Sequence, residues 1–303
     1  MLTMCNVFLL LVSGLFNLTS CFNDMPLPWT EPLKLGSEGN EVVIMCNLLA
    51  RDVDVDLNTN NCDSLYNSID ENACKEFQNA HKLDPTGIFD SETANLLLEL
   101  HSNDNIHDSG FTAASKGYLY KIHIPVYKNR SIETSATLYD ANNKILAIFP
   151  ARTHGRREDN VDYGWPDFGN GDVGLTQFMS NGNTITGIVE MDLNSPEPDP
   201  AMYGKWPVNR IVRGLEGNAA FMLPWDRDGQ LIHTGNWTTQ ENGQWTPEDT
   251  MPNSSGCVHS HPSSIKEIYE KLVGIGVVVN ENTYSGKDYP YKCQGIGVIE
   301  LIG

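Results

Sequence analysis

The stretch Tyr118–Thr153, "YLYKIHIPVYKNRSIETSATLYDANNKILAIFPART", decides the fold. Its apolar runs are short, rich in β-branched and aromatic residues, and broken by Asn and Asp turns, which is how strands read. "YDANNKIL" puts a turn between two such runs and predicts a hairpin. Further along, "TITGIVEMDL", "GQLIHTG", "GVVV" and "GIGVIELI" repeat the pattern. Residues 118–303 are therefore expected to form one mainly β, antiparallel domain. One helix interrupts it, "SSIKEIYEKLVGIG". Ser264 and Glu267 have the spacing of a capping box. Ile265, Ile268, Tyr269, Leu272 and Val273 fall on one face, and Gly274 or Gly276 ends the helix.

Upstream, the character is helical. "EGNEVVIMCNLLA" spaces Val42, Met45, Cys46 and Leu49 for one face, "NACKEFQNAH" gives a second helix, and "DSETANLLLEL" a third with Asp90 or Ser91 as N-cap. A small three-helix domain is expected over 33–101. "HSNDNIHDSGFTAASKG" is polar and reads as a linker over 102–117, and the Pro-rich 22–32 as another. The apolar run Val7–Phe16 is too short to span a bilayer and suits a signal peptide over 1–21, hence a secreted protein. "LTSC" also has the form of a lipobox, with Cys21 as a less favoured lipid anchor. No later run is long enough to cross a membrane.

The chain has 303 residues with a net charge of −19, which repels phosphate backbones and argues against a nucleic-acid partner. Oligomeric state is not legible. Seven cysteines fall to five if Cys5 and Cys21 leave with the signal. In an oxidising compartment two disulfides among Cys46, Cys62, Cys74 and Cys293 would leave Cys257 as a thiol; pairing of Cys257 with Cys293 is the alternative. Cys257 lies in "MPNSSGCVHSHP", Met251–Pro262. A thiol with an ordinary pKa near 8.5 is only about 3% thiolate at pH 7, so a nucleophilic cysteine needs a base. His233, at the end of an apolar strand and before a glycine turn, is well mounted for that work. His154, His259 and His261 are near candidates. His81, His101 and His107 read as surface residues and His123 as structural. The run Cys257-x-His259-x-His261 is not a usual zinc spacing, so no metal and no cofactor are expected.

The stretches "LIHTGNW" and "MPNSSGCVHS" resemble the signature of the YkuD-type L,D-transpeptidase catalytic domain: a strand histidine, a loop, then Ser/Thr-His-Gly-Cys, one residue, and Arg or Asn. "GLTQFMSNGNTITGIVEMD" resembles a further segment of that family, with Ile185 where proline would stand. "LKLGSEGNEV", "EFQNAHKL" and "TGIFDSETANLLL" resemble a small peptidoglycan-binding domain. The first resemblance implies a β-sandwich with one main helix. It makes Cys257 the nucleophile, His233 the base, and Thr234 the residue whose carbonyl orients that base. It gives the amides of Gly256 and Cys257 to an oxyanion hole, and makes Ser254, Ser255 and His259 substrate-binding; His154, which follows a strand in "ARTHG", is expected from that position to line the same site. The implied partner is peptidoglycan or its stem peptides, and the implied reaction is acyl transfer through a thioester. An amine acceptor makes a transpeptidase and water makes an L,D-carboxypeptidase; a non-enzymatic wall-binding protein and a cysteine peptidase on the same stems are the rivals. The sequence departs from the pattern at Ser255, where histidine is usual, at His259, where Arg or Asn is usual, and in a longer loop. His259 is expected to offer a hydrogen bond or charge in that place. Sequons stand at Asn129, Asn236 and Asn253.

Overall fold

A computed structural model describes residues 25, 26, 28–156, 168, 176–179, 181–223, 229–238, 243–246, 249–282 and 289–303. The expected signal segment and lipobox lie outside the described residues.

Three helices come first: α1 (Asn40–Leu49), α2 (Ser68–Ala80) and α3 (Ser91–Ser102). Asn67 caps α2 in a full capping box with Asp70, and the Asp90 carboxylate caps α3 by accepting from the Thr93 amide. The Gln78 amide nitrogen donates to Ile88 O and Thr93 Oγ1, while Gln78 Oε1 accepts from the Gly87 amide. One buried glutamine thus ties α2 to the turn before α3. A disulfide joins Cys46 to Cys62. The second expected disulfide is absent: Cys74 and Cys293 are buried thiols. Cys74 packs in the large core cluster and Cys293 in a separate small one with Val212 and Tyr289. His101 is buried rather than at the surface, and burial pulls its pKa down to about 4.

The strands are β1 (Tyr120–Val126), β2 (Thr134–Asp140), β3 (Ile145–Ala151), β4 (Gly187–Asn194), β5 (Val208–Glu216), β6 (Leu231–His233), β7 (Val258–His259) and β8 (Gly295–Leu301). They hydrogen-bond into one eight-stranded sheet, ordered β3-β2-β1-β8-β4-β5-β6-β7, where two sheets of a sandwich were expected. It is mixed rather than wholly antiparallel, because β1 pairs with β8, and β6 with β7, in parallel. The expected β2–β3 hairpin forms. Asp140 Oδ1 accepts from the amides of Asn142 and Lys144, and Asn143 takes a left-handed φ of 65°. The "GVVV" run makes no strand; it leads to a single bridge between Asn280 and Asn194.

Two short helices, α4 (Pro200–Tyr203) and α5 (Gly217–Met222), flank β5. The main helix, α6 (Pro262–Gly274), lies against β3 and β6 and buries Ile265, Ile268 and Leu272. It starts two residues before Ser264, because Pro262 is preset for a first helical position and His261 takes the cap, so the expected Ser264–Glu267 box does not form. Val273 is exposed, contrary to the expected face.

Candidate active site

β6 and β7 bring the two sequence-flagged residues together. Ile232 is in register with Val258, and His233 with His259. Carried back one residue, the same register sets Leu231 beside Cys257, and the Leu231 amide donates to Cys257 Sγ at 3.4 Å. Alternate residues of a strand share a face. Cys257, His259, Leu231 and His233 therefore lie on one face of two neighbouring strands, with the cysteine diagonal to the histidine. Cys257 is half-buried, outside any disulfide, and lines a cleft of about 450 Å³ with Tyr203, Arg210, Gln230, Leu231 and Ser255 among its walls.

His233 is buried, and its Nδ1 lies 2.8 Å from Thr234 O. A backbone carbonyl only accepts, so Nδ1 carries the proton and Nε2 carries the lone pair. Burial draws the His233 pKa down to about 4, against the Thr234 hydrogen bond, so the ring is neutral at pH 7. Aromatic rings wall it in: Tyr203 at 5.1 Å, Trp237 at 5.5 Å and His259 at 4.7 Å between centroids. Burial, and next the charge of Cys257, hold the Tyr203 phenol above its ordinary pKa.

The loop before the cysteine is stapled internally. The Ser254 hydroxyl donates to Cys257 O at 2.7 Å and accepts from the Gly256 amide at 3.0 Å, while the Ser254 amide donates to His154 O at 2.9 Å. Thr184 Oγ1 also donates to Cys257 O, at 3.2 Å. Gly256 sits at φ +102°, a conformation that suits glycine and few others. Its amide is already given to Ser254, so the expected oxyanion pair does not stand ready in this conformation; Gly256 N–H must leave that hydroxyl to serve an oxyanion. Ser254 thus shapes the loop from a buried position. Ser255 is exposed on the cleft and accepts from Arg156 Nε at 3.1 Å. His154 is buried beside the loop, its Nδ1 against Gly155 O, and is not among the described walls of the cleft.

Of the hydrogen bond or charge expected of His259, the structure shows the hydrogen bond. The ring is buried with Nδ1 against Pro252 O at 2.8 Å, and burial, then His233 and Arg152, push its pKa well below the ordinary value. The cation behind the loop is Arg152. It is buried and gives Nε and Nη2 to Asn253 Oδ1 at 3.0 and 2.6 Å. Asn253, one of the sequons, is consequently inside the fold, where a glycan has no room; Asn129 and Asn236 are exposed. Tyr203, Arg152 and Arg210 were not singled out from sequence. Arg152 lies in the flagged "ARTHG", but a lone arginine at a strand end carries no spacing signal.

No protein-family model matches the chain, and no curated protein does. Solved structures similar to it include an L,D-transpeptidase from Xylanimonas cellulosilytica, at 14% identity and a TM-score of 0.26 over 90% of this chain and 98% of that one. Another is an L,D-transpeptidase from Stackebrandtia nassauensis, at 15% identity and a TM-score of 0.26 over 85% and 96%. A third is a fused Zn-dependent amidase/peptidase/peptidoglycan-binding domain-containing protein from Clostridium acetobutylicum, at 14% and 0.23 over 89% and 99%. Likeness at that level assigns no residue, and the functional reading rests on the site and the sequence.

Proposed function

We propose that the chain is a secreted, cysteine-dependent acyltransferase of the L,D-transpeptidase type that acts on peptidoglycan stem peptides. The observation that carries this is the pairing of β6 with β7, which sets Cys257 diagonal to His233 on one face, with His233 Nδ1 held by Thr234 O. In this reading the Cys257 thiol gives its proton to His233 Nε2 as sulfur attacks a stem-peptide carbonyl. The carbon–sulfur bond forms, the carbon–nitrogen bond breaks, and the imidazolium returns the proton to the departing terminal amino acid. An amine of a second stem then attacks the thioester, losing its proton to His233, and the thiol is restored. The amide of Cys257 serves the oxyanion, joined by Gly256 when it turns from Ser254. The three N-terminal helices serve as a holding module for the same polymer, and the Cys46–Cys62 disulfide suits an oxidising compartment.

The test is incubation with a disaccharide-tetrapeptide, followed by mass spectrometry of products and intact protein. The reading expects loss of the terminal residue, a thioester adduct on Cys257, and a cross-linked dimer. Hydrolysed tripeptide without dimer would reassign the acceptor to water. Unchanged muropeptide would remove the enzymatic reading.

A further inference from the structure

Arg210 and Cys257 share a cleft. On β5, Arg210 is in register with Leu231, whose amide reaches Cys257 Sγ. The three residues form a row across adjacent strands, spanning about 10 Å of sheet from the arginine to the cysteine. Arg210 is 5% exposed, and its guanidinium is fixed on two of its three nitrogens. Nε donates to Asn194 Oδ1 at 3.0 Å; Nη2 donates to Asn282 Oδ1 at 2.5 Å and to the Glu197 carboxylate. Behind Asn194 stands a buried relay. Asn194 Nδ2 donates to Tyr289 OH at 2.8 Å, and Tyr289 OH donates to Asp192, which is wholly buried and also accepts from Asn280 and Gln294. A side chain anchored in this way loses little freedom when it binds.

The third nitrogen, Nη1, makes no hydrogen bond or ion pair among the described residues, and it is not one of the buried unpartnered atoms. Its two N–H groups are therefore offered to the cleft. Arg210 is the one cation among the described walls, in a chain whose net charge is −19. A guanidinium so mounted suits a carboxylate. Glu197, also in the cleft wall, supplies the guanidinium's counter-charge.

We propose that Arg210 is a specificity-determining residue that receives a substrate carboxylate next to the carbonyl that Cys257 attacks. The substrate class is then a peptide whose displaced residue is C-terminal, and internal peptide bonds are refused for want of that charge. This rests on Cys257 being the nucleophile, so the test uses the thiol itself and needs no turnover.

Cys257 in the full chain is alkylated with iodoacetate and with iodoacetamide at pH 7 and low salt, and labelling is mapped by mass spectrometry. The iodoacetate/iodoacetamide rate ratio, normalised to free cysteine, is expected to exceed one. Arg210→Gln lowers it by about fivefold, the size of one nearby charge at about 1 kcal/mol. Glu197→Gln, which leaves Arg210 anchored on Asn194 and Asn282, raises it. A merely structural Arg210 moves both reagents together. Ratios unchanged in both variants overturn the proposal while leaving the nucleophile intact. A Cys257 inert to both reagents overturns the nucleophile and the proposal with it.

Discussion

Burial acts on His233 in two ways. It fixes the tautomer, through Nδ1 on Thr234 O, and it depresses the pKa to about 4. The ring is thus a lone-pair acceptor across the neutral range, and the acid limb of Cys257 reactivity is expected well below pH 6.5. Among the described thiols, Cys74 and Cys293 are buried with pKa values pushed up to about 11. Iodoacetamide at pH 7 is therefore expected to label Cys257 and spare the other two, which peptide mapping checks. Gly256→Ala puts a side chain at φ +102° and strains the loop that presents the sulfur. That strain is about 1–3 kcal/mol, and the alkylation rate or muropeptide turnover of the variant is expected to fall about fivefold or more. His233 and Cys257 were legible as residues, because each stands in a local string whose chemistry is unusual for its setting. Arg152, Tyr203 and Arg210 were not, since their roles arise from what distant strands set beside them. Of the hydrogen bond or charge expected of His259, the ring makes the first, to Pro252 O, and burial disfavours the second, which is a tertiary fact.

Elements follow the sequence where their causes are local. The β2–β3 hairpin is written in Asp140 and Asn143, and α3 in Asp90. β5 was missed because its buried stretch Val208–Val212 includes Asn209 and Arg210, so it lacks both an apolar run and an alternation. β7, two residues long, is below any periodic signal. On α6, Leu272 is wholly buried, and Leu272→Ala is expected to cost about 2–5 kcal/mol in urea unfolding. The Cys46–Cys62 link closes a separation of 16 residues. Replacing both cysteines by serine is expected to cost about 3 kcal/mol, read from the same transition.

At the scale of the molecule, the helices and the sheet meet at Asn218. This residue is wholly buried; its Oδ1 accepts from Arg51, its Nδ2 donates to His101 O and Thr186 Oγ1, and its amide donates to Asp104. Gln177 adds a bond to Ser102 O. Asn218→Ala removes three side-chain hydrogen bonds across this junction, at about 0.5–1.5 kcal/mol each, and is expected to separate one thermal transition into two. None of these residues carried a sequence signal, whereas the change from helical to strand character near Tyr118 did. pH acts on the whole fold through His101, His233 and His259, all held below their unfolded values by burial. The unfolded chain takes up these protons near pH 6.5; the native one takes them up only well below that, near 4 for His101 and His233. Their contribution is complete above pH 6.5 and is lost as pH falls toward 4, at up to about 1.4 kcal/mol per pH unit for each group. Urea midpoints at pH 7.5 and pH 5 check that sign.

Activation of Cys257 by His233 is read from the rate of Cys257 alkylation by iodoacetamide between pH 4 and 9. In the unaltered chain Cys257 is expected to react with an apparent pKa well below 8.5, rising toward that value in His233→Ala. A Cys257 that titrates like a free thiol and is indifferent to His233→Ala would show that His233 does not activate it.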